Sequence, residues 1–223
     1  MILNIRHLSG LMKDALLKKW QNSGTITDKK ILKAFRKIPR EYFVAEEHKN
    51  EAYEDKPLLI LSGQTISQPT TVALMTKYLK LEQGQKVLEI GAGSGYQAAI
   101  IANIIGPKGK VISIEFLPEL VGLSKKNLEK ANIKNVMVME GDGSKGFEKE
   151  APFDRIIVTA ASPDIPPPLI DQLKGDGILL IPVGPLYEGQ EMMRIRKING
   201  KIQKELLGAY TFVPLKGKYG YND

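Results

Sequence analysis

The chain contains no cysteine, which removes a disulfide framework, a thiolate nucleophile and a thiolate metal site together. Only two histidines are present, His7 and His48, without ligand-like spacing. A metal centre needs several converging donors, so both read as surface or packing residues and no metal is expected. No apolar run approaches the roughly 18–20 residues that a membrane span requires, and the amino terminus lacks the charged–apolar–small layout of a secretory signal. These absences predict a cytoplasmic chain with no membrane partner.

What is present fits one catalytic domain. At 223 residues, 43% hydrophobic and 26% charged, the chain is long enough for an α/β core with an extension. The net charge of +7 raises the question of nucleic acid, whose phosphates attract lysine and arginine. The basic residues are scattered in short groups such as Lys18–Lys19, Lys29–Lys30 and Lys125–Lys126. With no stripe of interleaved basic and aromatic residues, a solvated lysine-rich surface is the better reading, and no nucleic-acid partner is expected.

Gly91, Gly93 and Gly95 stand in KVLEIGAGSGYQAA, after an apolar run and before a small-residue run. A strand that passes through a glycine turn into a helix brings backbone N–H groups close to a ligand. Glu115 closes the next apolar run, KVISIE, where a carboxylate accepts hydrogen bonds from ribose hydroxyls. A dinucleotide fingerprint wants a glycine three residues after Gly93, and that place is Tyr96. The G-x-G-x-G turn therefore lacks the expected third-glycine packing contact and a bed for a pyrophosphate, which favours S-adenosylmethionine over a nicotinamide dinucleotide.

From about residue 84 onward, apolar strands alternate with helical stretches: KVLEI, a helix to about Ile105, KVISIE, a helix over Glu119–Ala131, VMVME, FDRIIVTA, a helix near Pro168–Leu173, and GILLIPV. This rhythm predicts a doubly wound, mostly parallel Rossmann-like sheet. Val136–Met139 reads as a buried strand from its continuous apolar run. Asn199–Gly200 is a hairpin signal, so an antiparallel strand pair is expected at the C-terminal end. Residues 1–83 read as an N-terminal helical cap with an active-site loop, and 84–223 as the cofactor-binding core, integrated into one catalytic domain. Thr27 is the expected cap of a helix carrying Ile31, Leu32, Phe35 and Ile38 and ended by Pro39.

The second informative stretch is PLLILSGQTISQPTTVALMTKYL. Pro69 fits the first turn of a helix running to about Leu81. Ser67 in the preceding loop then lies beside a helix N-terminus, where free N–H groups and the macrodipole favour a carboxylate.

GQTISQP, GAGSGYQ, GDG and the segment from IPVG to FVPL resemble the protein-L-isoaspartate O-methyltransferases, in order and over nearly the whole chain. The resemblance implies methyl transfer from S-adenosylmethionine to the free α-carboxylate of L-isoaspartyl residues in damaged proteins, after which the ester collapses toward succinimide and repair begins. It implies Ser67 as the active-site serine and Ser62, Gly63, Gln64 and Thr65 as a loop closing over the cofactor. Glu89, Gly91, Gly93, Ser94 and Gly95 form the first cofactor motif, and Glu115 takes the ribose role. Asp142 and Gly143 occupy the adenine position. Thr65 and Ser67, with Ala160–Ala161 and Val213, line the peptide site. Two departures stand out. Thr70 follows Pro69 where relatives often carry an aromatic residue or histidine, and the tail KGKYGYND does not support transferring terminal cofactor contacts to Lys216 or Tyr221.

The chemistry asks little of side chains. A carboxylate with a pKa near ~3.5 is already ionised at neutral pH and needs no base, so Ser67 is expected to orient it rather than act as a nucleophile. Two rivals remain at this level. A nucleic-acid base methyltransferase would share the cofactor motif, although VTAASPD stands where adenine-amino enzymes carry an acidic or asparagine residue before Pro-Pro-aromatic, and the cysteine for cytosine-ring attack is missing. A non-catalytic adenosyl-binding module for carboxylate-bearing peptides is the other. The sequence leaves the oligomeric state open, with a monomer favoured.

Overall fold

The computed structural model describes residues 5–186 and 188–221, with side chains of the first helix described from Ser9 onward; the side chain of His7 lies outside the described residues. Two helices open the chain, α1 (Ile5–Asn22) and α2 (Lys29–Lys37), and α2 buries Ile31, Leu32, Ala34 and Phe35. Its cap is Asp28, which accepts from the Lys30 N–H at 2.7 Å, and not the expected Thr27. Asp28 is one residue nearer the helix, and its charge also favours the dipole.

A two-stranded hairpin follows, β1 (Leu58–Leu59) against β2 (Thr65–Ile66), and leads into α3 (Pro69–Leu79) with proline in its first turn. α3 stops short of Leu81. Lys80 turns left-handed at φ 50°, and the guanidinium of Arg155 donates to the carbonyls of Leu79 (2.6 Å) and Lys80 (3.1 Å), satisfying acceptors that the ended helix leaves bare.

The core then alternates: β3 (Lys86–Ile90), α4 (Tyr96–Ile105), β4 (Lys110–Glu115), α5 (Pro118–Lys130), β5 (Val136–Glu140), β6 (Phe153–Val158), α6 (Pro167–Asp171), β7 (Leu173–Val183), β8 (Gln190–Ile198) and β9 (Lys201–Tyr210). The seven-stranded sheet runs β5-β4-β3-β6-β7-β8-β9. β3 to β7 run parallel to one another, while β8 is antiparallel to β7 and β9 to β8, as the hairpin signal predicts. Asn199 and Gly200 both have positive φ, 49° and 73°, which suits the twist of a tight hairpin.

Successive residues serve opposite layers. Val87, Val111, Ile157 and Leu180 join the cluster formed with α1 to α5, while Leu88, Ile90, Ile112, Ile156 and Leu179 join the cluster around Leu169 of α6. Both faces are thus covered, which is why these strands read as continuous apolar runs. β5 departs from that expectation. It is an edge strand in which only Val138 is buried, with Val136, Met137 and Met139 partly exposed. An apolar run does not reveal whether its strand has one neighbour or two.

The N-terminal helices dock at the first residue of α4. Trp20 meets Phe35 edge-on at 5.1 Å, Phe35 meets Tyr96 at 6.0 Å, and Phe43 meets Tyr96 at 5.4 Å. Arg40 is fully buried over the Tyr96 ring at 5.0 Å, and burial lowers its pKa to about 10. One apolar cluster therefore runs from α1 to the helix that follows the glycine turn. Among the described residues no helix is long and apolar enough to cross a membrane, and no group of metal-ligating side chains is assembled.

Candidate active site

The strand order reverses between β3 and β6: the chain leaves β3 toward β4 and β5, then returns to the other side of β3. Ligands of open α/β sheets bind outside the carboxyl ends of the strands at such a point. Here those ends carry the glycine turn, after Ile90, and Thr159, after Val158. The Thr159 N–H bonds Ile90 O at 2.9 Å, and its hydroxyl lies 2.7 Å from Gly91 O.

The glycines do three different things. Gly91 has φ 93°, and a Cβ there would sit 2.5 Å from Thr159 Oγ1, so it permits closure of the two strand ends. Gly93, φ 52°, faces open space except for Ile60 Cδ1 at 3.8 Å, which leaves room for a ligand beside its backbone. Gly95, φ 87°, lies against α5, where a Cβ would meet Leu128 Cγ at 3.2 Å and Ser124 O at 3.3 Å. The expectation of no third-glycine packing contact is thus corrected. The contact exists, made one residue earlier than in a dinucleotide fingerprint.

Glu115 is buried, and its carboxylate bridges the turn: Oε2 accepts from Gly93 N at 2.9 Å and Oε1 from Leu117 N at 3.0 Å. A carboxylate can accept about four hydrogen bonds, so capacity remains for hydroxyl donors. A cavity opens over it, walled by Gln64, Thr65, Gly91, Gly93, Gly143 and Thr159, with Ile90, Ile114, Phe116, Leu120 and Leu215 as apolar surface and Val213–Lys216 closing one side. An apolar lining with a few polar groups beside a buried carboxylate suits a nucleoside.

Ser67 faces a second, adjoining cavity lined by Pro57, Thr65, Gln68, Thr71, Thr159, Thr211, Phe212 and Val213. Five hydroxyl-bearing residues and one amide line this space, and no carboxylate, imidazole, amine or guanidinium does. Thr65, Thr159 and Val213 belong to both cavities, so the two spaces meet at these residues. Ser67 also lines a smaller recess behind the glycine turn together with Ser94, Tyr96 and Gln97. The N-terminus of α3 is not the free carboxylate site that the sequence suggests. Asp55 occupies it, accepting from Thr70 N at 3.0 Å and Thr70 Oγ1 at 2.6 Å, while Trp20 Nε1 bonds the same hydroxyl at 2.8 Å. The departure at Thr70 is therefore a hydrogen-bonding post that ties α1, the Asp55 loop and α3 together.

Several other residues singled out by the sequence, Glu89, Ser62, Gly63 and Ala161 among them, lie off the walls of the first cavity. Glu89 is fully buried inside the sheet; Ser113 donates to one of its oxygens, Oε1 has no partner, and burial pushes its pKa up to about 8. Ser62 (φ 57°) and Gly63 form the hairpin tip, and Ser62 O accepts from the Gln64 amide at 3.3 Å. Ala160 faces the first cavity, whereas Ala161 supports it from behind, exchanging backbone bonds of 2.7 Å with Val213 and Leu215. Thr159 and Asp55 carry much of this arrangement and escaped sequence reasoning. The place of Thr159 at the end of FDRIIVTA, across the reversal from the glycine turn, was the available signal for the first; the second had none.

The model of the protein-L-isoaspartate(D-aspartate) O-methyltransferase family matches residues 11–220. The chain belongs to this family. It is 51% identical over 193 residues to protein-L-isoaspartate O-methyltransferase 2 of Archaeoglobus fulgidus, spanning 86% of this chain and 88% of that protein. It is 47% identical over 216 residues to the Pyrococcus horikoshii protein-L-isoaspartate O-methyltransferase, spanning 93% and 97%. Among solved structures, a protein-L-isoaspartate O-methyltransferase superposes with a TM-score of 0.84 at 30% identity over 93% of this chain and 67% of that one. A Plasmodium falciparum protein-L-isoaspartate O-methyltransferase in complex with S-adenosyl-L-homocysteine superposes with 0.81 at 29% identity, over 91% and 97%. At the β3–β6 reversal of this fold, the cavity over Glu115 thus lies beside one lined by hydroxyl-bearing residues.

Proposed function

We infer that this chain is an S-adenosylmethionine-dependent carboxyl methyltransferase acting on L-isoaspartyl residues of damaged proteins, the first step of their repair. The observation that supports the reading is the cavity at Ser67, which meets the cavity over Glu115 at Thr65, Thr159 and Val213 and is lined by hydroxyl-bearing residues without a titratable group. The cofactor supplies a methyl group on a positively charged sulfonium. Glu115 accepts from the ribose hydroxyls and keeps the glycine turn open through Gly93. Gln64 and Thr65 shield the junction from the hairpin, with Ser62 and Gly63 shaping its tip. Gly91, Gly93, Ser94 and Gly95 hold the turn's backbone against the cofactor, over the buried Glu89. Asp142 and Gly143 stand on the adenine side.

On the acceptor side, Ser67 donates to one oxygen of the substrate carboxylate and leaves the other to attack. Thr65, Val213 and the Ala161 segment hold the flanking peptide. A neutral hydroxyl suits this work better than a bidentate arginine, which would stabilise the charge that must be spent in the attack. With the nucleophile already ionised, alignment is the main contribution, and alignment alone can supply several kcal/mol, roughly 7–11 at the extreme. The substrate is protein, without a nucleic-acid or membrane partner, and the chain works in the cytoplasm.

The test is transfer of tritiated methyl groups to an isoaspartyl peptide, its aspartyl twin and bulk RNA. Label is expected in the isoaspartyl peptide, with only a few-fold change between low and moderate salt. Label in RNA with none in the peptide would overturn the reading, since phosphate-dependent binding also falls by orders of magnitude over that salt range.

A further inference from the structure

Helix α3 carries three threonines, Thr70, Thr71 and Thr76, and their hydroxyls fare differently. Thr70 bonds the Asp55 carboxylate and the Trp20 indole. Thr76 is buried and turns its hydroxyl back onto Val72 O at 2.7 Å, the usual internal partner of a helical threonine. The hydroxyl of Thr71 has no partner among the described residues.

Thr71 is only 9% exposed, and a buried hydroxyl normally has a hydrogen-bond partner. The fully enclosed side-chain atoms that lack one belong to Arg40, Glu89, Tyr96 and Gln97, not to Thr71. Its oxygen therefore keeps access to open space, and the space that Thr71 lines is the cavity at Ser67. Thr65, Ser67 and Thr211 share that wall, but Thr65 and Thr211 are exposed to water and Ser67 is half-buried. Thr71 is the most buried of the four, so its partner has to come from the occupant of the cavity. It does not line the cavity over Glu115. The occupant is therefore the methyl acceptor rather than the nucleoside.

An isoaspartyl residue brings a carboxylate and, on either side of it, neutral backbone carbonyls. Ser67 takes one carboxylate oxygen and the other attacks. A second donor on the attacking oxygen would stabilise the charge that must react. A neutral carbonyl can accept from a hydroxyl without that penalty, and the bond then persists equally in the bound state and the transition state. We propose that Thr71 is a second substrate-contacting residue, whose hydroxyl donates to a backbone carbonyl flanking the isoaspartyl carboxylate and holds the peptide without entering the attack. This rests on the isoaspartyl methyltransferase reading and divides the acceptor site in two, with Ser67 governing rate and Thr71 governing affinity.

The experiment is single-turnover methyl transfer to an isoaspartyl peptide over a range of peptide concentrations, which separates affinity from maximal rate. The unsubstituted protein is compared with Thr71→Val, Thr71→Ala and Thr71→Ser. Circular dichroism monitors the fold, and calorimetric titration of S-adenosyl-L-homocysteine monitors the cofactor site. Thr71→Val, which keeps the branched shape, and Thr71→Ala should each bind the peptide about 3–30-fold more weakly, the range for one lost hydrogen bond to a desolvated carbonyl. Maximal rate and S-adenosyl-L-homocysteine affinity should stay within about twofold, as expected when uniform binding is removed. Thr71→Ser restores the donor and should recover most of the affinity. Two further peptides carry a thioamide, a weaker acceptor, in place of the carbonyl before the isoaspartyl residue or of its own chain-continuing carbonyl. One of them should bind the unsubstituted protein more weakly than the parent peptide, and that difference should vanish in Thr71→Val. The proposal is overturned if both hydroxyl-free variants bind the peptide like the unsubstituted protein, or if Thr71→Ser is as weak as Thr71→Val. It is equally overturned if the maximal rate or the cofactor affinity falls in place of peptide affinity, or if the thioamide losses are the same with and without the Thr71 hydroxyl. An unsubstituted protein that binds the cofactor and leaves the isoaspartyl peptide unmethylated would overturn the reading beneath it, before any variant is made.

Discussion

The two sides of the cleft are built from different materials. Beyond β3 the wall is backbone: Gly91 and Gly93 present main chain, and Glu115 braces them through Gly93 N and Leu117 N. Beside β6 and α3 the wall is side chain, lined by the hydroxyl-bearing residues Thr65, Ser67, Thr71 and Thr211. A backbone wall fixes a large group by shape and close approach, and any added atom damages it. A hydroxyl wall suits directional, replaceable contacts with a small charged group, and one deletion there is expected to lower the rate without disturbing the fold. Thr159 belongs to both, because its hydroxyl is spent on the carbonyls of Ile90 and Gly91.

The largest effect that separates the two sides is expected at Ser67. Ser67→Ala should lower single-turnover methyl transfer by about 10–1,000-fold while leaving S-adenosyl-L-homocysteine affinity nearly unchanged, as fits one positioning hydrogen bond. Equal losses of affinity and rate would erase the distinction drawn here. The rate of the unsubstituted protein should show no limb of unit slope between about pH 6 and 7, since neither serine nor the substrate carboxylate titrates there.

Glu89 tests the buried layer beneath the backbone wall. Its carboxyl is pushed up to about 8 from an ordinary 4.5. Between those values the folded chain keeps a proton that the unfolded chain releases, so this group's contribution to stability declines as pH rises through that window. Glu89→Gln should remove the decline. Relative to the unsubstituted protein it should gain on the order of 2–4 kcal/mol between pH 5 and pH 8 in urea unfolding. An equal difference at both pH values would mean that the carboxyl ionises normally.

On the backbone side, Gly91→Ala should cost about 1–3 kcal/mol in cofactor affinity, from left-handed strain and displacement of Thr159. Glu115→Ala should cost a similar 1–3 kcal/mol by leaving the turn unbraced. Neither should change the single-turnover rate at saturating cofactor by more than a few-fold. The smallest effect concerns the extension. Asp28→Ala should lower stability by about 1 kcal/mol in urea unfolding, whereas Thr27→Ala should fall within about 0.5 kcal/mol of no change.

Much of this contrast was legible in the sequence, and unevenly so. The glycine turn announces itself because φ beyond +50° at three alternating positions leaves glycine as the default residue. Glu115 follows from the end of the adjacent strand. The hairpin at Asn199–Gly200 and proline at the start of α3 are equally local, and the structure reproduces them. Errors arose where a signal depended on neighbours. VMVME reads as a buried strand, yet β5 has a partner on one side alone. The start of α3 reads as an open anion site, yet Asp55 has folded back onto it from fifteen residues upstream.

Local stereochemistry and periodicity determined the order of elements, the glycine turn and its acidic partner, because these requirements are met within a few residues of chain. Only the tertiary structure decided that Thr159 closes the two strand ends, that five hydroxyl-bearing residues share one cavity without a charge, and that the tail bonds the Asp142 turn. Those arrangements join residues dozens of positions apart. Their energy comes from groups that meet only once the sheet is wound and its ends brought together, and no short window of sequence contains both partners.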